Sequence, residues 1–456
     1  MKRKLLSLTL ALCVAIASAI SLSSCNFTPA ATISGASIND IGELIITYSD
    51  GREENLGLVV GKDGTNGADG KDGIDGKDGI DGKDGEDGID AGSSSDGSQG
   101  INLAYATAKG LRSAVSIVCN FTRTVRTSGF RPTTRVEEYS SAGSGVIYEL
   151  DESEGDAFII TNYHVVFDAD SDTEDGISED ISVYFYGSEY DDYAIAASYV
   201  GGSLYYDIAV LRVEDSDILK NSCAIAASVR NSDLVSVGES AIAIGNPCSD
   251  GISASYGHVS VDTEDITMLA ADNATAVTFR VMRIDTPINS GNSGGGLYDN
   301  NGNLIGIVNA KMVDTAVENI AYAIPSSIAK AVADNIIDNC FDSDNDRVMR
   351  PTLGITVSAT ESYAVYDPEK KLVSIKEQIT VFEIASDSLA SGIFEIGDVL
   401  VSATVGDETV AITRSHQIPD LLLTLREGDT ISFLIHRAGA SMVLNITITG
   451  ESISKY

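Results

Sequence analysis

The 456-residue sequence predicts a mainly β protein built from several units, and three observations carry that prediction. Short apolar runs recur between glycine and polar turns: VSIVCNF at 115–121, GVIYEL at 145–150, FIITNY at 158–163, ISVYFY at 181–186, IAVLRV at 208–213 and LIGIVN at 304–309. Strands of that length and spacing describe a barrel or a sandwich. Ser326 and Ser327 then cap a helix in which Ile328, Val332 and Ile336 share one face, a closing element for the barrel. Finally, the polar stretch FDSDNDR at 341–347 separates this text from a second compact, strand-rich unit over 350–449.

The N-terminus sets the compartment. Lys2, Arg3 and Lys4 precede an apolar run from Leu5 to about Leu22, the pattern of an export signal rather than of structure. The run ends in LSSC at Cys25, which resembles the lipobox of bacterial lipoproteins, where the cysteine is lipidated after cleavage. An ordinary cleaved signal with a chance cysteine is the other reading. The expected product of residues 1–24 being a signal peptide is an extracytoplasmic chain, held by lipid at the bacterial cell membrane or cell surface.

Residues 25–60 comprise the anchor and a short β-hairpin, GELIITYSDGREENLGLVV, turning at Ser49-Asp50-Gly51. From Gly61 to Gly88 glycine then occupies every third position. That period is the collagen signature, because only glycine fits the axis of three polyproline-like chains. Residues 61–90 lack proline and carry four lysines against ten acids, so both a triple helix and a flexible charged stalk fit. Residues 91–104 read as a linker.

The formal charge of -37 disfavours nucleic acid and anionic membrane surfaces as partners. With 43% hydrophobic residues the chain can bury sizeable cores. Cys119, Cys223, Cys248 and Cys340 remain after the signal and Cys25. Export permits disulfides, their spacing fits no zinc pattern, and they can pair in three ways or stay free.

The chemistry concentrates at INSGNSGGGLY, residues 288–298, where Ser293 sits among Gly291, Gly294, Gly295 and Gly296. A serine hydroxyl is a weak nucleophile until a base takes its proton. Of His164, His258, His416 and His436, only His164 stands just after a strand, in TNYHVV, where it can face a cleft. The other three read as structural. An imidazole in turn needs a carboxylate to orient it, and Asp207 opens the apolar strand DIAVLRV, an awkward place for an unpaired charge. The chain order His164, Asp207, Ser293 is that of chymotrypsin-like proteases.

At this point a family resemblance becomes specific. SAGSGVIY (141–148), TNYHVV (161–166), DIAVLRV (207–213), GESAIAIGNP (238–247) and INSGNSGGGL (288–297) resemble successive blocks of the HtrA (Deg) serine proteases. NIAYAIPSS (319–327) resembles the block before the family's closing helix. The resemblance implies a chymotrypsin/trypsin-like double β-barrel over 105–340, a serine endopeptidase of unfolded or damaged exported proteins, and a homotrimer. The oxyanion site falls on Gly291, Asn292 and Ser293, with the amides of Gly291 and Ser293 as donors. Two positions depart from the family, Ser290 and Gly296, where it usually carries proline.

An acidic stretch, DADSDTEDGISED (168–180), lengthens the segment between His164 and Asp207. Asp168, Asp170, Asp172 and Glu179 fall at positions 1, 3, 5 and 12 of a calcium-loop pattern, but Thr173 replaces its glycine and Asp175 its apolar residue. The loop reads as solvated, and no metal or cofactor is expected.

After a linker at 341–349, residues 350–450 resemble a PDZ domain through RPTLGI (350–355), IFEIGDVLVSATVGDETV (393–410) and IPDLLLTLREGDTISFLIHR (418–437). The amides of Leu353, Gly354 and Ile355 would hold a peptide C-terminus while the peptide extends the sheet. Alternatively, TLGI is simply a strand start. Two other functions stay open: a surface peptide-binding scaffold or adhesin, and a regulatory protease with one dedicated substrate.

Overall fold

The computed structural model describes residues 33–39, 43–49, 51–58, 103–126, 133–188, 193–310, 320–339 and 347–456. The export signal with Cys25, the Gly-X-Y run and Cys340 lie outside them. The chain divides into two compact units, Met1–Gly92 and Ser93–Tyr456.

In the first unit, β1 (Ile33–Ile38), β2 (Glu43–Tyr48) and β3 (Glu53–Leu58) form an antiparallel sheet in that order. The expected hairpin is β2–β3, closed by the Gly51 amide donating to the Tyr48 carbonyl at 2.9 Å. Strand β1 is additional. Its sequence, ISGASI, carries a glycine and two serines and gives little strand signal.

The second unit opens with helix α1 (Leu103–Ser113), which absorbs the last two residues of the expected linker. A closed barrel follows: β4 (Ala114–Arg126), β5 (Thr134–Asp151), β6 (Asp156–Thr161), the four-residue α2 (Tyr163–Val166), β7 (Asp180–Phe185), β8 (Ile195–Ser203) and β9 (Ile208–Val213). Its strand order is β4-β5-β6-β9-β8-β7. After the short helix α3 (Asp217–Lys220), a second closed barrel comprises β10 (Ser240–Gly245), β11 (Ser253–Leu269), β12 (Ala276–Ile284), β13 (Gly296–Tyr298), β14 (Leu304–Asn309) and β15 (Ala321–Pro325). There the order is β10-β11-β12-β15-β14-β13.

Two strands explain how the barrels meet. On β9, Ala209 and Leu211 fill the first barrel, while Ile208 and Val210 face an apolar cluster between the barrels. On β14, Ile305 and Val308 fill the second barrel, while Leu304 and Ile307 face that same cluster. Strands buried on both faces need apolar residues at successive positions, which is why IAVLRV and LIGIVN do not alternate. Helix α4 (Ser326–Asn339) seals the cluster with Ile328, Val332 and Ile336, each side chain contributing about 1.5–3 kcal/mol by its burial.

The C-terminal part begins with β16 (Met349–Pro351), followed by β17 (Ile355–Asp367), β18 (Leu372–Ile384), β19 (Val399–Val405), β20 (Glu408–Ala411), helix α5 (Gln417–Leu423), β21 (Thr430–Arg437) and β22 (Ala440–Thr447). The main sheet runs β17-β18-β19-β21-β22 with β20 beside β19, and the final β23 (Ile453–Lys455) pairs with β16. Leu353, Leu400 and Phe433 lie in its own core. Among the described residues, no helix is long and apolar enough to cross a membrane. Cys119 is buried, Cys223 and Cys248 are exposed, and all three are free thiols.

Candidate active site

Ser293 lies on the loop between β12 and β13, and the loop is fixed from the opposite barrel. The Ser144 amide on β5 donates to the Ser293 carbonyl at 2.8 Å. The Ser144 hydroxyl donates to the Gly291 carbonyl at 2.7 Å and accepts the Asn246 amide at 2.8 Å. One serine of the first barrel thereby holds the nucleophile loop of the second. Gly291 has φ 96°, and a Cβ there would lie 2.2 Å from the Asn246 carbonyl oxygen, so no larger residue makes this turn.

His164 stands on α2, directly behind β6. Its Nε2 is 2.9 Å from Ser293 Oγ, and its Nδ1 is 2.7 Å from Asp207 Oδ2. The His164 amide also donates to Asp207 Oδ1 at 3.0 Å. Asp207 precedes β9 with φ 52°, an uncommon left-handed backbone for an aspartate. Its carbonyl accepts Asn162 Nδ2 at 2.8 Å, and its carboxylate accepts Asn309 Nδ2 at 2.6 Å. Thus an imidazole from one barrel spans an acid of the same barrel and a hydroxyl of the other. Ser144, Asn162 and Asn309 are the polar residues at this site that the sequence did not single out.

The oxyanion assignment needs one correction. The Asn292 amide donates to the Asn289 carbonyl at 3.1 Å, so it is turned away from the place where an oxyanion would form. In the acidic insert, Asp168 Oδ2 accepts Tyr139 Oη at 3.0 Å, and Asp172 accepts both the amide and the hydroxyl of Thr124 at 2.9 Å. These carboxylates pin the insert to the β4–β5 hairpin.

Residues 143–307 match the family model described as a trypsin-like peptidase domain. The Do-like HtrA serine protease of Lactococcus lactis subsp. cremoris is 30% identical over 322 residues, covering 68% of this chain and 72% of its own length. That of Bacillus subtilis is 29% identical over 314 residues, covering 68% of this chain and 64% of its own. The chain belongs to the HtrA family of serine proteases. A solved structure, the HtrA-type protease AlgW with decapeptide, covers 76% of this chain and 98% of its own at 24% identity and a TM-score of 0.47.

In this HtrA protease the departure at Gly296 has a steric counterpart, because the Tyr298 ring occupies the space a side chain at 296 would enter, 2.4 Å from a Cβ. Tyr298 Oη in turn pairs with Ser113 Oγ at 2.9 Å, anchoring α1 to the second barrel.

The remaining histidines differ in setting. His258 is exposed, 3.7 Å from Asp285, and His436 Nδ1 is 3.0 Å from Ser441 Oγ. His416 instead lies where the C-terminal part meets the second barrel. Arg280 on β12 sits there 2.7 Å from both Asp233 and Asp420, and His416 Nε2 is 3.9 Å from Asp233. Burial first, then the charges of Arg280 and Arg414, bring His416 down from 6.5 to about 2. It therefore stays neutral in the folded chain, whereas the unfolded chain takes up a proton near 6.5. Its contribution is complete above that pH and drains away as the pH falls. Burial raises Asp420 to about 7 against the pull of Arg280, which acts in the opposite sense, so a comparison of variants is needed to isolate the histidine. The stability of His416→Gln relative to wild type should rise as the pH drops below 6.5, by about 1.4 kcal/mol per pH unit. Urea melts of both proteins at neutral and acidic pH measure this, and a pH-independent difference would reject it.

Proposed function

We propose that this HtrA protease is an exported serine endopeptidase that cuts unfolded or damaged exported proteins, using His164, Asp207 and Ser293. The observation that carries the reading is the His164 ring, within hydrogen-bond distance of both the acid and the hydroxyl. In the reaction, Nε2 takes the Ser293 proton as Oγ attacks the scissile carbonyl, while Asp207 orients the ring and stabilises the imidazolium. The amides of Gly291 and Ser293 receive the developing oxyanion, and loss of one such donor typically costs about a hundred- to a thousandfold in rate. The leaving amine departs with the proton, and water, deprotonated by the same ring, releases the acyl-enzyme.

The exported setting follows from the basic and apolar N-terminus, with Cys25 as the lipidated residue. It agrees with relatives named as probable periplasmic DegP-like serine endoproteases, one from Pseudomonas fulva at 29% identity. We read 350–450 as a PDZ domain whose Leu353–Gly354–Ile355 turn receives a peptide C-terminus. Two features support this reading: Gly354 has φ 81°, and the Leu353 and Gly354 carbonyls accept the Ala390 and Ala385 amides at 3.0 and 2.8 Å. Those bonds leave the turn braced from behind. A homotrimer completes the proposal, and light scattering of the exported part checks it.

A serine-directed fluorophosphonate tests the chemistry. Peptide mapping should find the adduct on Ser293, with casein digestion falling in proportion to labelling. Undiminished digestion by fully labelled protein would reject the mechanism, and a chain that binds peptides without cutting any would favour the scaffold reading.

A further inference from the structure

Three donors converge on the Asp207 carboxylate, and they do not come from the same barrel. The amide and Nδ1 of His164, at 3.0 and 2.7 Å, belong to the first. The third, Asn309 Nδ2 at 2.6 Å, is the last residue of β14 in the second. Asn309 is fully buried, where an amide is costly unless its hydrogen bonds are met. The backbone of Asp207 is held in a left-handed conformation that costs about 1–3 kcal/mol, so its placement depends on what grips it. Asn162 grips the carbonyl and Asn309 the carboxylate.

The neighbours of Asn309 face the nucleophile. The Ala310 amide lies 3.2 Å from Ser293 Oγ, and the Val308 carbonyl accepts the Gly294 amide at 3.0 Å. Three consecutive residues at one strand end thus touch the serine, the loop behind it and the acid across the seam.

We propose that Asn309 is a positioning residue for proteolysis: its side-chain amide ties Asp207 of the first barrel to the strand that backs Ser293 in the second, and so fixes the imidazole between acid and hydroxyl. An amide neither gains nor loses charge near neutrality, so the tie holds wherever the enzyme works. An apolar side chain of equal volume would fill the site but supply no donor. The inference rests on His164, Asp207 and Ser293 being the reacting groups.

The test measures kcat, KM and the pH profile of labelled-casein cleavage by the full chain. Asn309→Ala should lower kcat about 10- to 100-fold, the cost of a lost hydrogen bond to a charged acceptor, with KM unchanged. The acid limb of its profile should move to higher pH, because a carboxylate with one donor fewer holds the imidazolium more firmly. Asn309→Asp keeps the shape but replaces the donor with a second carboxylate, and at mildly alkaline pH it should lose at least as much kcat. A packing role gives the reverse order, with the Asp variant near wild type and the acid limb unmoved, and that result overturns the proposal. Thermal melts show whether each variant folds; if Asn309→Ala does not, Asn309→Asp decides by the same measurements. Failure of the catalytic reading itself looks different, since Ser293 would then escape the fluorophosphonate in the wild-type chain.

Discussion

Ser293→Ala is expected to lower kcat on an unfolded protein substrate about a millionfold while the cooperative melt survives. The hydroxyl makes two contacts, to His164 Nε2 at 2.9 Å and to the Ala310 amide at 3.2 Å. Both partners are partly exposed, so solvent can replace the missing oxygen. Attack must then come from water, assisted by whatever the Gly291 and Ser293 amides still contribute to the oxyanion. KM should change little, because the substitution removes a single oxygen and alters no other side chain. Single-turnover cleavage measures the effect, and a variant that keeps most of its turnover would place the nucleophile elsewhere.

Gly294→Ala should also lower kcat, but by mechanical means and with a loss of stability. At φ 84° its Cβ would lie 2.1 Å from the Ser144 carbonyl oxygen and 2.3 Å from Thr161 Oγ1, which themselves share a 2.7 Å hydrogen bond. Neither obstacle can swing aside, since one is backbone and the other is buried. A left-handed alanine and an overpacked seam each cost about 1–3 kcal/mol, so the melt should drop and the barrels part at Ser144. Displacing the adjoining loop should also cost at least about a hundredfold in kcat, the scale of one lost oxyanion donor. Gly238→Ala is the control: its φ is 91°, but a Cβ there meets nothing within 4 Å. It should show the backbone cost alone, with kcat unchanged. Equal losses in the two variants would refute the wedge.

What is legible in the sequence follows from locality. Apolar runs reveal β6, β9 and β14, and glycine crowding reveals the loop at 288–298, because those signals sit within a few residues. His164, Asp207 and Ser293 stand out since each interrupts or ends such a pattern. Asn309 does not, because its partner Asp207 is 102 residues away and an asparagine closing an apolar strand resembles a turn residue. Ser144 is hidden for the same reason, its bond to Gly291 spanning 147 residues. Spacing equally cannot show that the Asn292 amide is engaged by the Asn289 carbonyl. His416 gives no local hint of the charges brought around it, buried Arg280 from β12 and exposed Asp233 from the Ser232–Leu234 turn.

The division of the seam between two barrels also bears on biosynthesis. The ribosome makes the segment bearing the base and the acid first, and a half-finished polypeptide therefore holds both with no alcohol to activate. Hydrolysis of neighbouring chains, the hazard of producing any protease, can begin only after translation has passed β14 and the later barrel has closed upon the earlier one.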